Sequence, residues 1–525
     1  MTSTSQKLTQ TSAVRLEASL PDWCVLTWNQ ALVTTVFVVI FLYFSYLPPT
    51  SPKVWHDVKL GQMEMSTANE IAESVPLSEG MRHGFVGVAG VKAVRSLYAW
   101  QGVECLCFAY GVLQTFVAIL WTQVFFQLTR KWWSVFGAIA IVVWGFPEHA
   151  GFHSQSFGQL GFVCLALLLV YSKPKDAEHF HWRSVKTRFW LLTFLLFVIW
   201  SNLHASAFLG IFWLGCFAVS RAISQFDRIA PFAFLRDREF QVRVWLLEMV
   251  SLATLFTPAG IGLWKTSLWW PDNPILTSLG AWSPTMLGSW NGLFLFLAWG
   301  VWFRFAQGQK ICRFLMISMV AGTVVIAFAS PAVIWVAPLF LMSIFELLGR
   351  RKSLSSSERV ASDRPIEMNP GALRFAFTLM AGLAIWLGFC FSPISSVVLG
   401  GHPRSNDQIL GRKLPLEAKS YLTQNVPNGI LFCPIYWSDW LQTDSKIKVF
   451  VDRAQSVPAL AAKDYREIFR ATGSWEKLIE KYNVQYILAD KQNQADLIRN
   501  FRRNPTDWKI IREDQQSVYV RKVER

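Results

Sequence analysis

Four short stretches of the chain set acids, bases and amides beside apolar runs. The first is Val54-Trp55-His56-Asp57-Val58-Lys59-Leu60-Gly61. A carboxylate held against apolar walls is a better proton acceptor than one in water, so Asp57 is a candidate general base. A solvated loop aspartate is the plain alternative. The second is Trp100 to Glu104, where a carboxylate enters an apolar run. Such a group is expensive in a membrane and marks a functional position by default. A Glu favoured by a helix dipole explains it equally well. The third is Trp200-Ser201-Asn202-Leu203-His204-Ala205, whose amide and imidazole could meet a phosphate or a sugar hydroxyl, or satisfy freed backbone groups at a hairpin tip. The fourth is Glu148-His149-Ala150-Gly151-Phe152-His153-Ser154-Gln155. Two histidines four apart are half of a helical zinc site, but Pro147 and Gly151 favour a turn and no third ligand stands nearby. No cofactor motif is present, and the need for a divalent metal stays open. No Gly-rich phosphate loop ends in Gly-Lys-Ser/Thr, so ATP hydrolysis has no support.

The elements that must position these residues are membrane spans. Of 525 residues, 52% are hydrophobic and only 16% are charged, well under the roughly 25% usual for a soluble chain. The 26 tryptophans suit a chain with many membrane–water interfaces. Apolar runs lie near 31–47, 103–128, 133–147, 157–171, 189–201, 204–220, 244–257, 291–306, 312–328, 332–348 and 372–392, which gives about eleven spans. Residues 1–30 form a polar cytoplasmic segment with no signal-peptide cleavage pattern, and 31–392 form the multi-span domain.

Charge sets the orientation. The connections Arg130-Lys131, 173–188, 221–243, 304–313 and 350–374 are all basic. Those at 147–156, 202–203, 258–290 and 329–331 carry Lys265 as their only Lys or Arg. The positive-inside rule then gives an N-in, C-out topology. The long outer loop 48–102 is the exception, carrying Lys53, Lys59, Arg82, Lys92 and Arg95, but long loops follow that rule weakly. The net charge of +15 is thus accounted for by topology, and no nucleic-acid motif accompanies it. The fold expected is an α-helical polytopic membrane protein ending in a small extracytoplasmic α/β domain over 401–525. In that domain strand-like runs at 429–433, 448–451, 484–489, 508–511 and 517–520 alternate with helical patterns. Of the eight cysteines only Cys433 falls there, so the domain has no internal disulfide.

Taken in order, the motifs resemble those of the GT-C glycosyltransferase superfamily, the bacterial relatives of lipid-linked-sugar-dependent mannosyltransferases and oligosaccharyltransferases. The resemblance rests on Trp55–Gly61, Trp100 with Glu104, Gln155-Ser156-Phe157-Gly158, Trp200-x-Asn202-x-His204 with Gly210, and Thr257-Pro258-x-Gly260. In the tail it rests on Phe450-Val451-Asp452-Arg453, Trp475–Tyr482, Tyr486-Ile487-Leu488 and Trp508. It implies a transferase of the bacterial inner membrane that moves a sugar from a polyprenyl-phosphate donor to an acceptor on the outer face. Asp57 and then Glu104 are the catalytic acids it implies, with Asn202, His204, Gln155, His153 and Lys59 lining the substrates. Two departures stand out. The family's Arg-Pro-Gln is His153-Ser154-Gln155 here, and no arginine lies in Ser330–Trp335. Lys53, Lys59 or Arg95 would have to replace those cations. The alternative is an envelope scaffold, or a lipid or polymer transporter, that keeps the architecture without the chemistry.

Overall fold

The computed structural model describes residues 26–65, 87–144, 150–172, 187–226, 232–264, 284–286, 288–309, 311–355, 370–410, 413–451, 453 and 459–523. The apolar runs form helices α1 Trp28–Tyr46, α3 Val88–Thr129, α4 Val135–Trp144, α5 Ser154–Tyr171, α6 Thr187–Leu203 and α7 Ala207–Ser224. They continue as α8 Arg238–Ala253, α9 Trp290–Ala306, α10 Arg313–Phe328, α11 Val333–Ser355 and α12 Pro370–Cys390. Each sequence run therefore has its helix. Five segments, Trp28–Tyr46, Val88–Thr129, Ser154–Tyr171, Ala207–Ser224 and Ser330–Gly349, are long and apolar enough to cross a membrane. The chain is an integral membrane protein, helical through its body, with a small sheet near its C-terminus.

Two helical stretches lie where the sequence suggests only a long loop. One is α2, Pro52–Met65, which Pro52 opens at the first helical position, where a missing N–H costs nothing. The other is the first part of α3. Gly102, at φ 62°, and Gln101 break the helical conformation between the two parts. An L side chain at Gly102 would sit in the disfavoured left-handed region, so the kink is written into the sequence as glycine.

Helix α2 explains how bundle and tail are joined. Val54 and Val58, one turn apart, are buried in the main bundle core with Phe44, Val94 and Phe152. Trp55 instead joins a second core with Val103, Cys107, Trp437, Trp440 and Leu488. Residues i and i+4 share a helix face, so α2 buries one face in each body.

After two short helices, Pro393–Val398 and Asn406–Leu410, the tail contains α13 Leu416–Gln424, β1 Ile430–Phe432, α14 Ile435–Gln442 and α15 Ala459–Arg470. It then forms α16 Trp475–Lys481, β2 Val484–Asp490, α17 Ala495–Arg503, β3 Trp508–Glu513 and β4 Ser517–Lys522. The sheet order is β1-β2-β4-β3, with β1 parallel to β2 and the remaining pairs antiparallel. Strand periodicity divides the sheet between two cores. Ile487, Ala489, Val518 and Val520 pack with residues of α15, α16 and α17. Leu488 and Tyr519, pointing to the opposite face, pack with α13, α14 and Trp55. The expected strand at 448–451 is reduced to one parallel bridge between Val449 and Leu431.

Candidate functional site

Helix α5 starts at Ser154, and its first N–H groups have no partners within the helix. Asp57 supplies one: its Oδ2 accepts from the Ser154 N–H at 2.6 Å. The negative carboxylate therefore sits at the positive end of the α5 dipole. One turn earlier on α2, the Lys53 Nζ donates to Gln155 Oε1 at 2.6 Å. Asp57 and His153 are 5% and 4% exposed.

The turn between α6 and α7 closes on the same place. A Cβ on Gly90 would lie 2.1 Å from the Leu203 carbonyl oxygen and 3.3 Å from the Ser154 Cβ. Only glycine lets α3, the 203–204 turn and the mouth of α5 approach this closely. Lys53, Asp57, His153, Gln155 and His204 therefore form one cluster.

Hydrogen bonds assign the two imidazoles opposite tautomers. His153 Nδ1 is 2.7 Å from the Gly151 carbonyl oxygen, which can only accept, so Nδ1 carries the hydrogen. His204 Nδ1 is 3.0 Å from the Ser206 N–H, which can only donate, so the hydrogen is on Nε2. Burial, together with the Lys53 ammonium, pushes His153 well below the ordinary histidine value, and Asp57 opposes that. Burial, His153 and Lys53 push His204 down as well. Both rings are neutral at neutral pH.

The other expected site residues make their contacts elsewhere. Glu104 is 4% exposed and paired with Arg404, whose Nε and Nη2 donate to its two oxygens at 2.8 and 2.6 Å. The Arg404 backbone N–H adds a third bond at 3.1 Å. Lys59 points into the tail: its Nζ donates to Gln442 Oε1 and lies 3.5 Å from Asp439 Oδ1. His56 Nδ1 is 3.3 Å from the other Asp439 oxygen. Arg95 pairs with Asp444 at 3.0 Å. Of the three cations considered for phosphate, Lys53 alone belongs to the cluster, and Lys59 and Arg95 fasten the tail. Asn202 donates to the Val198 and Phe256 carbonyls at 2.8 and 2.7 Å, which ties α6 to the end of α8. This is the backbone-satisfying role that the sequence left open.

Three further expectations lie outside the described residues: Glu148, His149 and Asp452. Among the described residues, no group of three His, Cys, Asp or Glu side chains gathers as a metal site. Asp439 and Arg404 as partners were missed from sequence, and Lys53 was named there only as one of three stand-in cations for phosphate. Only the i, i+4 spacing of Lys53 and Asp57 was visible there, in a stretch read as loop.

No protein-family model and no curated protein matches the chain. Among solved structures it is similar to an archaeal oligosaccharyltransferase, AglB from Archaeoglobus fulgidus, in complex with an inhibitory peptide and a dolichol-phosphate. The identity is 13%, the match covers 88% of this chain and 70% of that one, and the TM-score is 0.49.

Proposed function

We propose that the protein is a GT-C-type glycosyltransferase that moves a sugar from a polyprenyl-phosphate carrier to an acceptor on the outer face of a bacterial inner membrane. The proposal includes eleven spans, an N-in, C-out topology, and a tail on the acceptor side. The observation that carries it is the convergence of Asp57, Lys53, Gln155, His153 and His204 at the mouth of α5. An acceptor hydroxyl needs an acidic or basic group to bind it and take its proton, and a departing phosphate needs cations and N–H donors. Asp57 supplies the negative charge of the site. Lys53 is the cation that stands in for the arginines missing from His153-Ser154-Gln155 and Ser330–Trp335. Glu104 and Lys59 are assigned to holding the tail in place.

The test is transfer by the full-length protein in liposomes supplied with lipid-linked sugars. Asp57→Asn keeps an oxygen for the Ser154 N–H but loses the charge, so it should abolish transfer with little change in folding. Wild-type transfer by Asp57→Asn would remove Asp57 from the site. The rival reading, a non-catalytic envelope scaffold or transporter, is favoured by the near-complete burial of Asp57 and His153 and by the missing arginines. A wild-type protein that binds lipid-linked sugars without transferring from them would establish it.

A further inference from the structure

His153 stands at the N-terminal end of α5, next to Ser154 and Gln155, and its chemistry differs from that of a phosphate-binding cation. The residue is 4% exposed, its Nε2 is buried without a well-formed hydrogen bond among the described residues, and the Gln155 side chain lies against the ring. The Gly151 carbonyl fixes the hydrogen on Nδ1, so the Nε2 lone pair is available as a base. A buried acceptor without a well-formed hydrogen bond is costly to keep and calls for a reason. The neighbouring residue, Ser154, is bound by Asp57, which places a carboxylate beside any imidazolium formed there. His204 has the complementary tautomer, with a hydrogen on Nε2 for an anion.

We propose that His153 is the general base of the transferase, its Nε2 taking the proton from the acceptor hydroxyl, while Lys53 and the His204 Nε2–H hold the departing phosphate. The proposal rests on the function above and deepens it. In the step, the acceptor O–H bond breaks and its proton goes to Nε2. The acceptor oxygen forms a bond to the anomeric carbon of the donor sugar. The bond from that carbon to the phosphate oxygen breaks, and its electron pair leaves on the lipid phosphate. The imidazolium then returns its proton to water. Donor binding also prepares the base. Burial and Lys53 together hold His153 neutral, and an anionic lipid phosphate beside Lys53 would cancel the Lys53 share and strengthen the pull of Asp57 toward protonation.

His153→Ala in the full-length liposome-reconstituted protein tests this, with a melting curve as folding control and His153→Gln as a variant of similar bulk without a base. Loss of the base should lower kcat by roughly 10²–10⁴-fold with a much smaller effect on donor KM. Added imidazole should restore part of the rate in His153→Ala, where the ring has left space, and not in His153→Gln. A folded His153→Ala that keeps wild-type kcat overturns the proposal. So does a loss that no concentration of imidazole restores, which would make His153 a positioning residue. In both cases the site and its Asp57 dependence survive. Failure of the wild-type protein to transfer any lipid-linked sugar removes the function and this role together.

Discussion

Glu104 and Arg404, 300 residues apart in the chain, form a forked ion pair in which both carboxylate oxygens and three donor groups take part. The Arg404 guanidinium also lies 4.9 Å from the centre of the Tyr46 ring. The pair closes the joint between α1, α3 and the segment leading to the tail.

Removing one partner of this pair should expose its structural role. Arg404→Ala strands a buried carboxylate and should cost about 3–5 kcal/mol. The lower end is expected, because Arg404 is 23% exposed. Glu104→Gln leaves its unpaired charge on the more exposed Arg404 and keeps an oxygen to accept from it, so it should cost less, with transfer preserved in the folded protein. Thermal unfolding and a transfer assay on both variants decide the point. Abolished transfer with an unchanged melting curve in Glu104→Gln would return Glu104 to the catalytic site.

Lys53 and Lys59 are six residues apart on one helix, yet they serve different bodies. Lys53→Met should raise KM for a lipid-phosphate donor by about 10-fold or more, the loss expected for a hydrogen bond to a charged group. Lys59→Met should act on the joint with the tail, increasing protease cleavage there. Steady-state kinetics paired with limited proteolysis would separate the two. Identical behaviour of the variants would contradict the assignment.

Acid should loosen the tail. Burial by itself would raise the Asp439 carboxyl, but His56 and Lys59 outweigh burial and hold it at about 2. The folded value lies below the ordinary aspartate value of about 3.9, so the folded joint favours the ionised form. That stabilisation is present in full above about pH 4 and is lost as pH falls toward 2. Hydrogen exchange of α14 should accelerate across this window, and Asp439→Asn should flatten the response.

Two glycines offer a matched pair of substitutions. Gly90→Ala drives a methyl into the Leu203 carbonyl and should cost about 1–3 kcal/mol, with loss of transfer as the 203–204 turn moves. Nothing lies within 4 Å of a Cβ on Gly215, inside α7. Gly215→Ala should therefore leave stability unchanged or raise it by up to about 1 kcal/mol. Melting temperatures of the two proteins report the difference, and equal losses would argue against close approach as the cause.

Much of the architecture was legible because its causes are local. Each apolar run became a helix, and β2 and β4 follow the period-2 alternation of 484–489 and 517–520. Helix α2 was less legible. Its apolar positions Val54, Trp55 and Val58 serve two cores at once, so no single apolar stripe marks it in the sequence. The strand at 448–451 was overcalled because its backbone pairs with β1 at only one bridge.

The sequence by itself determined a membrane-embedded helical body, its charge asymmetry, a small α/β tail, and a short set of polar residues beside the spans. Those follow from residue type and spacing along the chain. The tertiary structure alone decided which polar residues meet. Asp57, Lys53, His153, Gln155 and His204 share one cluster because α2, the start of α5 and the turn after α6 converge on Gly90. Glu104, Lys59 and Arg95, as plausible in sequence, are bound by Arg404, Asp439 and Asp444 from far along the chain. A charge's partner is set by three-dimensional distance and by desolvation, and neither is encoded in the spacing of its neighbours.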